Sequence, residues 1–158
     1  MLNVFVICTG NSCRSLLGEA LFNHLGEGRI KAFSAGSHPL GRLNKGAVAT
    51  LKRHGLSVEG YKSQSWDEFE HQPMDIVITV CDNAAGETCP VYLNKAAKVH
   101  WGLVDPGHIK GTEEEIITAF EKTYGILETR INKMLALPLE TMTAEDVAVK
   151  LNAMVDED

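Results

Sequence analysis

The apolar run Val4-Phe5-Val6-Ile7 leads straight into Cys8-Thr9-Gly10-Asn11-Ser12-Cys13-Arg14-Ser15, and this junction constrains the fold more than any other stretch of the chain. Four consecutive apolar residues, three of them β-branched, read as a strand buried on both faces. The loop behind it hands the chain to a helix, with Ser12 expected as the cap and Ser15 in the first turn. Such a loop can turn its backbone N–H groups inward on a tetrahedral oxyanion. Arg14 adds a planar fork matched to two anion oxygens. Cys8 is expected beneath the anion, where the positive field favours thiolate. A thiol with a pKa of ~8.5 is only ~3% ionised at neutral pH, and lowering it to ~6 makes that ~90%. The competing reading is a buried structural cysteine before an ordinary strand-to-helix turn. The strand, the glycine and the helix cap together favour the anion site.

Behind this junction, strand and helix patterns alternate. Leu17, Ala20, Leu21 and Leu25 recur at helical spacing, and Gly26 with Gly28 ends that helix. Residues 30–33 read as a second strand, closed by Ser34-Ala35-Gly36-Ser37, and residues 46–54 as a short helix followed by Gly55. Residues 75–80 and 98–101 read as the third and fourth strands. A long helix is predicted over 112–137. Thr112 and Glu115 have capping-box spacing, and the glutamates Glu113, Glu114 and Glu115 suit the positive end of the helix. Ile117, Phe120, Tyr124, Leu127, Ile131 and Met134 form its expected buried stripe, and Pro138 stops it. Thr143-Ala144-Glu145-Asp146 opens a short last helix before an acidic end. The fold class is therefore α/β, a single domain with a four-stranded parallel sheet flanked by helices on both faces. Residues 1–138 make up this domain, and 139–158 a C-terminal extension.

Ligands of parallel sheets bind outside the carboxyl ends of the strands. The Cys8 loop, Cys81 behind Val80, and Asp105 just past Trp101 all fall on that rim. Cys81 and Cys89 lie eight positions apart, and an intact helix between them would hold their Cα atoms ~12 Å apart. A disulfide needs ~4.4–6.8 Å, so the pair can bond only if the segment opens. Two unrelated buried cysteines are the alternative. Asp105-Pro106-Gly107 is turn chemistry, yet on this rim a carboxylic acid could protonate a departing oxygen. The six histidines, His24, His38, His54, His71, His100 and His108, show no pairing and read as ordinary residues.

Composition narrows the classes. The 158 residues carry a net charge of −6 and no basic run, which argues against nucleic-acid binding. With 44% hydrophobic and 23% charged residues the chain reads as an ordinary soluble protein. The apolar start is too short for a signal or a membrane span. Four cysteines without an export signal point to reduced thiols and a cytoplasmic location.

Taken together, the Cys8 to Ser15 loop, Ser34-Ala35-Gly36-Ser37, Thr79-Val80-Cys81 through Cys89-Pro90, and His100-Trp101 through Asp105-Pro106 resemble the thioredoxin-coupled arsenate reductases. That family shares the fold of the low-molecular-weight protein tyrosine phosphatases. The resemblance implies that arsenate sits in the loop of Thr9, Gly10, Asn11, Ser12, Cys13, Arg14 and Ser15. It implies that Cys8 attacks arsenic, Arg14 and the loop N–H groups stabilise charge, and Asp105 acts as general acid. Cys81 would then attack Cys8 with release of arsenite, and Cys89 would attack Cys81, leaving a Cys81–Cys89 disulfide. Ser15 would support the Cys8 thiolate, Asn11 would hold the loop's shape, and Cys13 discriminates nothing. Some members bind a monovalent cation through Asn, Glu, Ser and Asp. Asn11, Glu19 and Ser34 match, but Gln64 or a neighbour stands at the Asp position, and no bound metal or cofactor is expected. The implied reductant is external: thioredoxin, or glutathione with glutaredoxin. A monomer is expected, without membrane or nucleic-acid partners. Two other classes compete. A tyrosine phosphatase would need only Cys8, Arg14 and Asp105, but Gly107-His108 stand where eukaryotic-type enzymes carry Tyr. A non-catalytic redox or arsenic-sensing module would leave Asp105 without a task.

Overall fold

Val4, Phe5, Val6 and Ile7 are completely buried, so the run that opens the sequence is the centre of the core. A computed structural model describes residues 1–81 and 90–157. Strand β1 (Leu2–Ile7) is followed by helix α1 (Arg14–Leu25), β2 (Ile30–Ala35), α2 (Lys45–Arg53), β3 (Ile76–Thr79), β4 (Ala97–His100), α3 (Glu113–Leu135) and α4 (Ala144–Ala153). All neighbouring strands are parallel and the spatial order is β2-β1-β3-β4. The expected four-stranded α/β sheet is thus observed.

The two faces of β1 meet different partners, as strand alternation requires. Val6 packs on α1 at Gly18, where an added Cβ would lie 3.0 Å from Val6 Cγ1. Phe5 faces the other way, 5.0 Å between ring centroids from Phe69 in a short 3-10 helix, Trp66–Phe69, that also packs on Phe33. Phe22 of α1 stacks on Trp101 just beyond β4, at 6.1 Å and 11°. Burying side chains of this size contributes about 1.5–3 kcal/mol each.

Register positions the rim. Ile7 pairs with Ala35 on one side and Thr79 on the other, and Thr79 pairs with His100. The four strands therefore end level, and the residues that follow them emerge side by side.

Several local expectations need correction. The N-cap of α1 is Cys13, whose side chain makes no capping hydrogen bond, so Ser12 is not the cap. The segment's job is to wrap the loop, and it does so with the backbone: Ser12 O accepts from Asn44 N at 2.8 Å. Strand β2 runs on through Ser34 and Ala35, because buried Ser34 finds side-chain partners. In α3 the Thr112–Glu115 capping box forms, but Ile117 is 36% exposed. Ile116, four residues before Phe120, packs on the core instead, and Thr123 and Arg130 join the buried stripe. Arg29 completes the helix end by donating to Leu135 O and Leu137 O at 2.6 Å each and pairing with Glu140.

Strand β4 is an edge strand, and α4 covers it. Asn152 Oδ1 accepts from His100 N at 2.8 Å, and its Nδ2 donates to Lys98 O at 3.1 Å. Trp101 Nε1 donates to Leu151 O at 2.8 Å. One amide side chain thereby satisfies the backbone groups that would invite another strand. No helix among the described residues is long and apolar enough to cross a membrane.

Candidate active site

The Cys8 loop is pinned by its carbonyl groups. Thr9 O accepts from His38 N at 3.0 Å, Gly10 O from Leu40 N at 2.9 Å and Ser12 O from Asn44 N at 2.8 Å. Ser63 Oγ adds a second donor to Gly10 O at 3.1 Å. In a planar trans peptide the next residue's N–H points opposite to the carbonyl. With these three carbonyls held outward, the N–H groups of Gly10, Asn11 and Cys13 turn toward the loop's interior, which makes an anion cradle. The segment 38–44 that does this carried no sequence signal beyond its turn composition. Gly36 lies so close that an added Cβ would stand 2.3 Å from Thr9 O and 2.7 Å from Cys8 O.

Asn11 sets the loop's bend. It is the one non-glycine residue of positive φ (47°) among the described residues, and it is 1% exposed. Its Nδ2 donates to Ser15 Oγ and Ser34 Oγ, both at 2.9 Å, and its Oδ1 accepts from Gln64 N at 2.7 Å. Ser34 Oγ in turn donates to Glu19 Oε1 at 2.6 Å. Burial pushes the Glu19 carboxyl up to about 7, against the opposing Ser34 hydrogen bonds. This set does not fit the cation that the resemblance suggested. Glu19 is the set's one carboxylate and burial favours its neutral form, Asn11 Oδ1 is turned onto the Gln64 N–H, and none of residues 62–65 is an acid where the resemblance puts Asp. Among the described residues no group of three or more His, Cys, Asp or Glu is placed to hold a metal ion.

Cys8 and Cys81 are brought together. Both are buried, at 5% and 3% exposure. Thr9 N donates to Cys81 Sγ at 3.4 Å, and Thr9 Oγ1 lies 3.6 Å from the same sulfur. The expected lowering of the Cys8 pKa is not what this arrangement produces. Its hydrogen bond with the Cys81 thiol, and then burial, raise the Cys8 thiol above its ordinary value, while Arg14 and the Gly10 N–H pull it down. The loop field is present, but the second sulfur outweighs it. Cys13, 6% exposed, is pushed up to about 12 by burial and by the Asp105 charge, so it is a poor nucleophile. Cys89 and the segment joining it to Cys81 lie outside the described residues.

Arg14 reaches across to the Asp105 turn. Its Nη1 donates to Leu103 O at 2.9 Å and its Nη2 lies 3.6 Å from Asp105 Oδ2. Its Nε is buried with no hydrogen-bond partner among the described residues. A buried donor without an acceptor is costly, and an oxyanion in the loop would satisfy it. Asp105 Oδ1 accepts from Gly107 N at 2.8 Å, capping the 3-10 turn Pro106–His108, so the turn reading holds too. Asp105 Oδ2 is 3.0 Å from His108 Nε2. Sequence reasoning treated His108 as ordinary. The available signal was its place three residues after Asp105 on a turn opened by proline.

An oxyanion cradle with a cysteine at its base, an arginine at its rim and a carboxyl group facing it across the ends of a parallel sheet belongs to the phosphatase-like, nucleophilic-cysteine class. The chain is a member of the low molecular weight phosphotyrosine protein phosphatase family, whose sequence model matches residues 3–148. Among curated proteins it is 34% identical over 129 residues to an arsenate reductase of Halalkalibacterium halodurans, covering 81% of this chain and 91% of that one. It is 32% identical over 130 residues to the arsenate reductase of Bacillus subtilis, with 82% and 92% covered. A solved arsenate reductase in its reduced state matches with a TM-score of 0.69 at 26% identity, over 86% of this chain and 98% of that one. The arsenate reductase of Archaeoglobus fulgidus shares the fold, with a TM-score of 0.70 at 24% identity over 85% and 99%.

Proposed function

We propose that this chain is an arsenate reductase that works through Cys8, Cys81 and Cys89. The single observation behind the reading is the sulfur of Cys81 held at Thr9 N and in contact with the Cys8 thiol. Loop chemistry on a phosphate ester has no use for a second thiol there. The names of the relatives over most of the chain support the same activity.

Arsenate enters the cradle and takes up Arg14 Nε and the inward N–H groups. The Cys8 thiol passes its proton to an arsenate oxygen as its sulfur attacks arsenic, and one arsenic–oxygen bond breaks with its electron pair on the oxygen. Asp105 supplies the proton to that oxygen. Cys81 then attacks the Cys8 sulfur. The sulfur–arsenic bond breaks with its electron pair on arsenic, so As(V) becomes As(III) as the two thiols become a Cys8–Cys81 disulfide. Cys89 attacks Cys81, frees Cys8 and leaves a Cys81–Cys89 disulfide for an external dithiol. Thioredoxin is the proposed reductant and a reducing cytoplasm the proposed location.

Arsenite release by the pre-reduced protein, followed by turnover with thioredoxin and its reductase or with glutathione and glutaredoxin, tests the reading. Turnover with thioredoxin alone supports it in full. Turnover with glutaredoxin alone retains the reaction and replaces the reductant. Hydrolysis of aryl phosphates without any arsenite would make the protein a phosphatase.

A further inference from the structure

The general acid proposed above must be reloaded with a proton in every cycle, and of the groups that hold Asp105 among the described residues one is suited to carry it. Three groups hold the Asp105 carboxylate: Gly107 N on Oδ1 at 2.8 Å, and Arg14 Nη2 at 3.6 Å and His108 Nε2 at 3.0 Å on Oδ2. The Cys13 thiol also lies within reach of its charge. A backbone amide is no proton donor in this sense, and a guanidinium keeps its protons. A thiol pushed up to about 12 is a weak donor as well. Imidazole exchanges protons readily near neutral pH.

Exposure points the same way. The Asp105 side chain is only 24% exposed and its Oδ2 is flanked by Arg14 and His108, whereas the His108 ring is 86% exposed. The backbone supports the pairing. Pro106 opens a 3-10 turn that Asp105 caps, and His108 at the end of that turn sets its Nε2 3.0 Å from Asp105 Oδ2.

We propose that His108 is the proton relay of Asp105. It rests on the reading of Asp105 as general acid. Asp105 Oδ2–H gives its proton to the departing oxygen. The imidazolium of His108 then passes its Nε2 proton to Asp105 Oδ2. The neutral imidazole takes a fresh proton from the water around it. One solvent proton is consumed per oxygen released, and no electrons move.

The test uses the full chain in repeated turnover with an external dithiol in excess, so that Asp105 must be reloaded in every cycle, and it measures the steady rate of arsenite release. His108→Ala is expected to lower the rate by about tenfold or more, a part of the ~10²–10⁴ that a positioned acid contributes. The apparent affinity for arsenate should stay within about twofold, since the change falls on the chemical step. Added imidazole should restore the rate in proportion to its protonated form, and it should do nothing for Asp105→Asn. His108→Gln keeps a hydrogen-bond donor over Asp105 but relays no proton, so it should remain slow. An unimpaired rate in His108→Ala, full recovery in His108→Gln, or indifference to imidazole would each overturn the relay. If the wild-type protein releases no arsenite, the reductase reading fails instead. The relay is then read from hydrolysis of phenyl phosphate, whose poor leaving group needs the same proton, with the same outcomes deciding.

Discussion

Cys81 Sγ accepts a hydrogen bond from Thr9 N at 3.4 Å across 72 positions of sequence, directly beside Cys8. Strand register produces this. Ile7 and Thr79 are paired at the ends of neighbouring parallel strands, and Val80 N donates to Ile7 O at 3.0 Å, so the chains leaving β1 and β3 travel together. A second sulfur delivered in this way can reach the first without any rearrangement of the sheet.

Removing that sulfur should make Cys8 more acidic. The Cys81 hydrogen bond is the largest of the causes raising Cys8, ahead of burial, while Arg14 and Gly10 N–H act in the opposite direction. In Cys81→Ala the upward push goes and the loop's field remains. The pH profile for alkylation of Cys8 by iodoacetamide should shift to lower pH, with faster labelling at neutral pH. An unmoved profile would show that the thiol contact is not what holds Cys8 protonated.

Arg14→Lys should keep the charge and lose the fork. Its Nη1 contact to Leu103 O and its buried Nε cannot both be replaced by one ammonium. Loss of one charge-assisted hydrogen bond costs about 1.5–3 kcal/mol, or roughly 10- to 100-fold in oxyanion affinity. Calorimetric titration with arsenate measures it, and an affinity within twofold of the original would remove Arg14 from the cradle.

A methyl group at Gly36 should damage fold and activity together. The added Cβ would lie 2.3 Å from Thr9 O and 2.7 Å from Cys8 O, both rigid backbone. Overpacking of this kind costs about 1–3 kcal/mol. For a chain of this size that is a fall of roughly 2–12 °C in Tm. Gly36→Ala with an unchanged Tm and unchanged turnover would mean that the loop can move aside freely.

The parts of this arrangement that could be read from sequence were local. Val4 to Ile7 announced a buried strand, Thr112 with Glu115 announced a helix start, and the Cys8–Arg14 spacing announced the cradle. What could not be read depends on partners far along the chain. The outward pinning of Thr9, Gly10 and Ser12 carbonyls comes from residues 38–44, whose own pattern is featureless. Ser12 has the chemistry of a helix cap, but tertiary demand on its carbonyl moved the cap to Cys13. Periodicity placed Ile117 in the stripe because it counts apolar residues, whereas the neighbours of α3 chose Ile116. The positive field of the loop is legible in its residues, whereas the nearness of Cys81, which pushes the Cys8 thiol up, is not.

Glu19 should impose a pH dependence on stability. It is 6% exposed, and burial raises its carboxyl from 4.5 to about 7. Between those values the folded state binds more protons than the unfolded state, so stability falls as pH rises through that window and levels off above about 7. The full span is on the order of 3 kcal/mol. Glu19→Gln retains an acceptor for Ser34 Oγ without the ionisation, so its Tm should lose much of this decline between pH 5 and 8. A parallel decline in both proteins would place the titrating group elsewhere.

The order of the thiol relay can be read from where each variant stalls. In Cys89→Ser, Cys81 still reaches Cys8, so one arsenite per protein should be released, and the chain should stop with a Cys8–Cys81 disulfide. In Cys81→Ser the sulfur at Thr9 N is gone, no Cys8–Cys81 disulfide can form, and the reaction should stop at the arsenic adduct with no arsenite released. Both variants should still hydrolyse an aryl phosphate, because that reaction uses only Cys8, the cradle and Asp105. Peptide mapping of the unaltered protein after one turnover should find Cys81 joined to Cys89. Repeated turnover with thioredoxin in the absence of Cys89 would break the proposed order and make an external thiol the direct partner of Cys81.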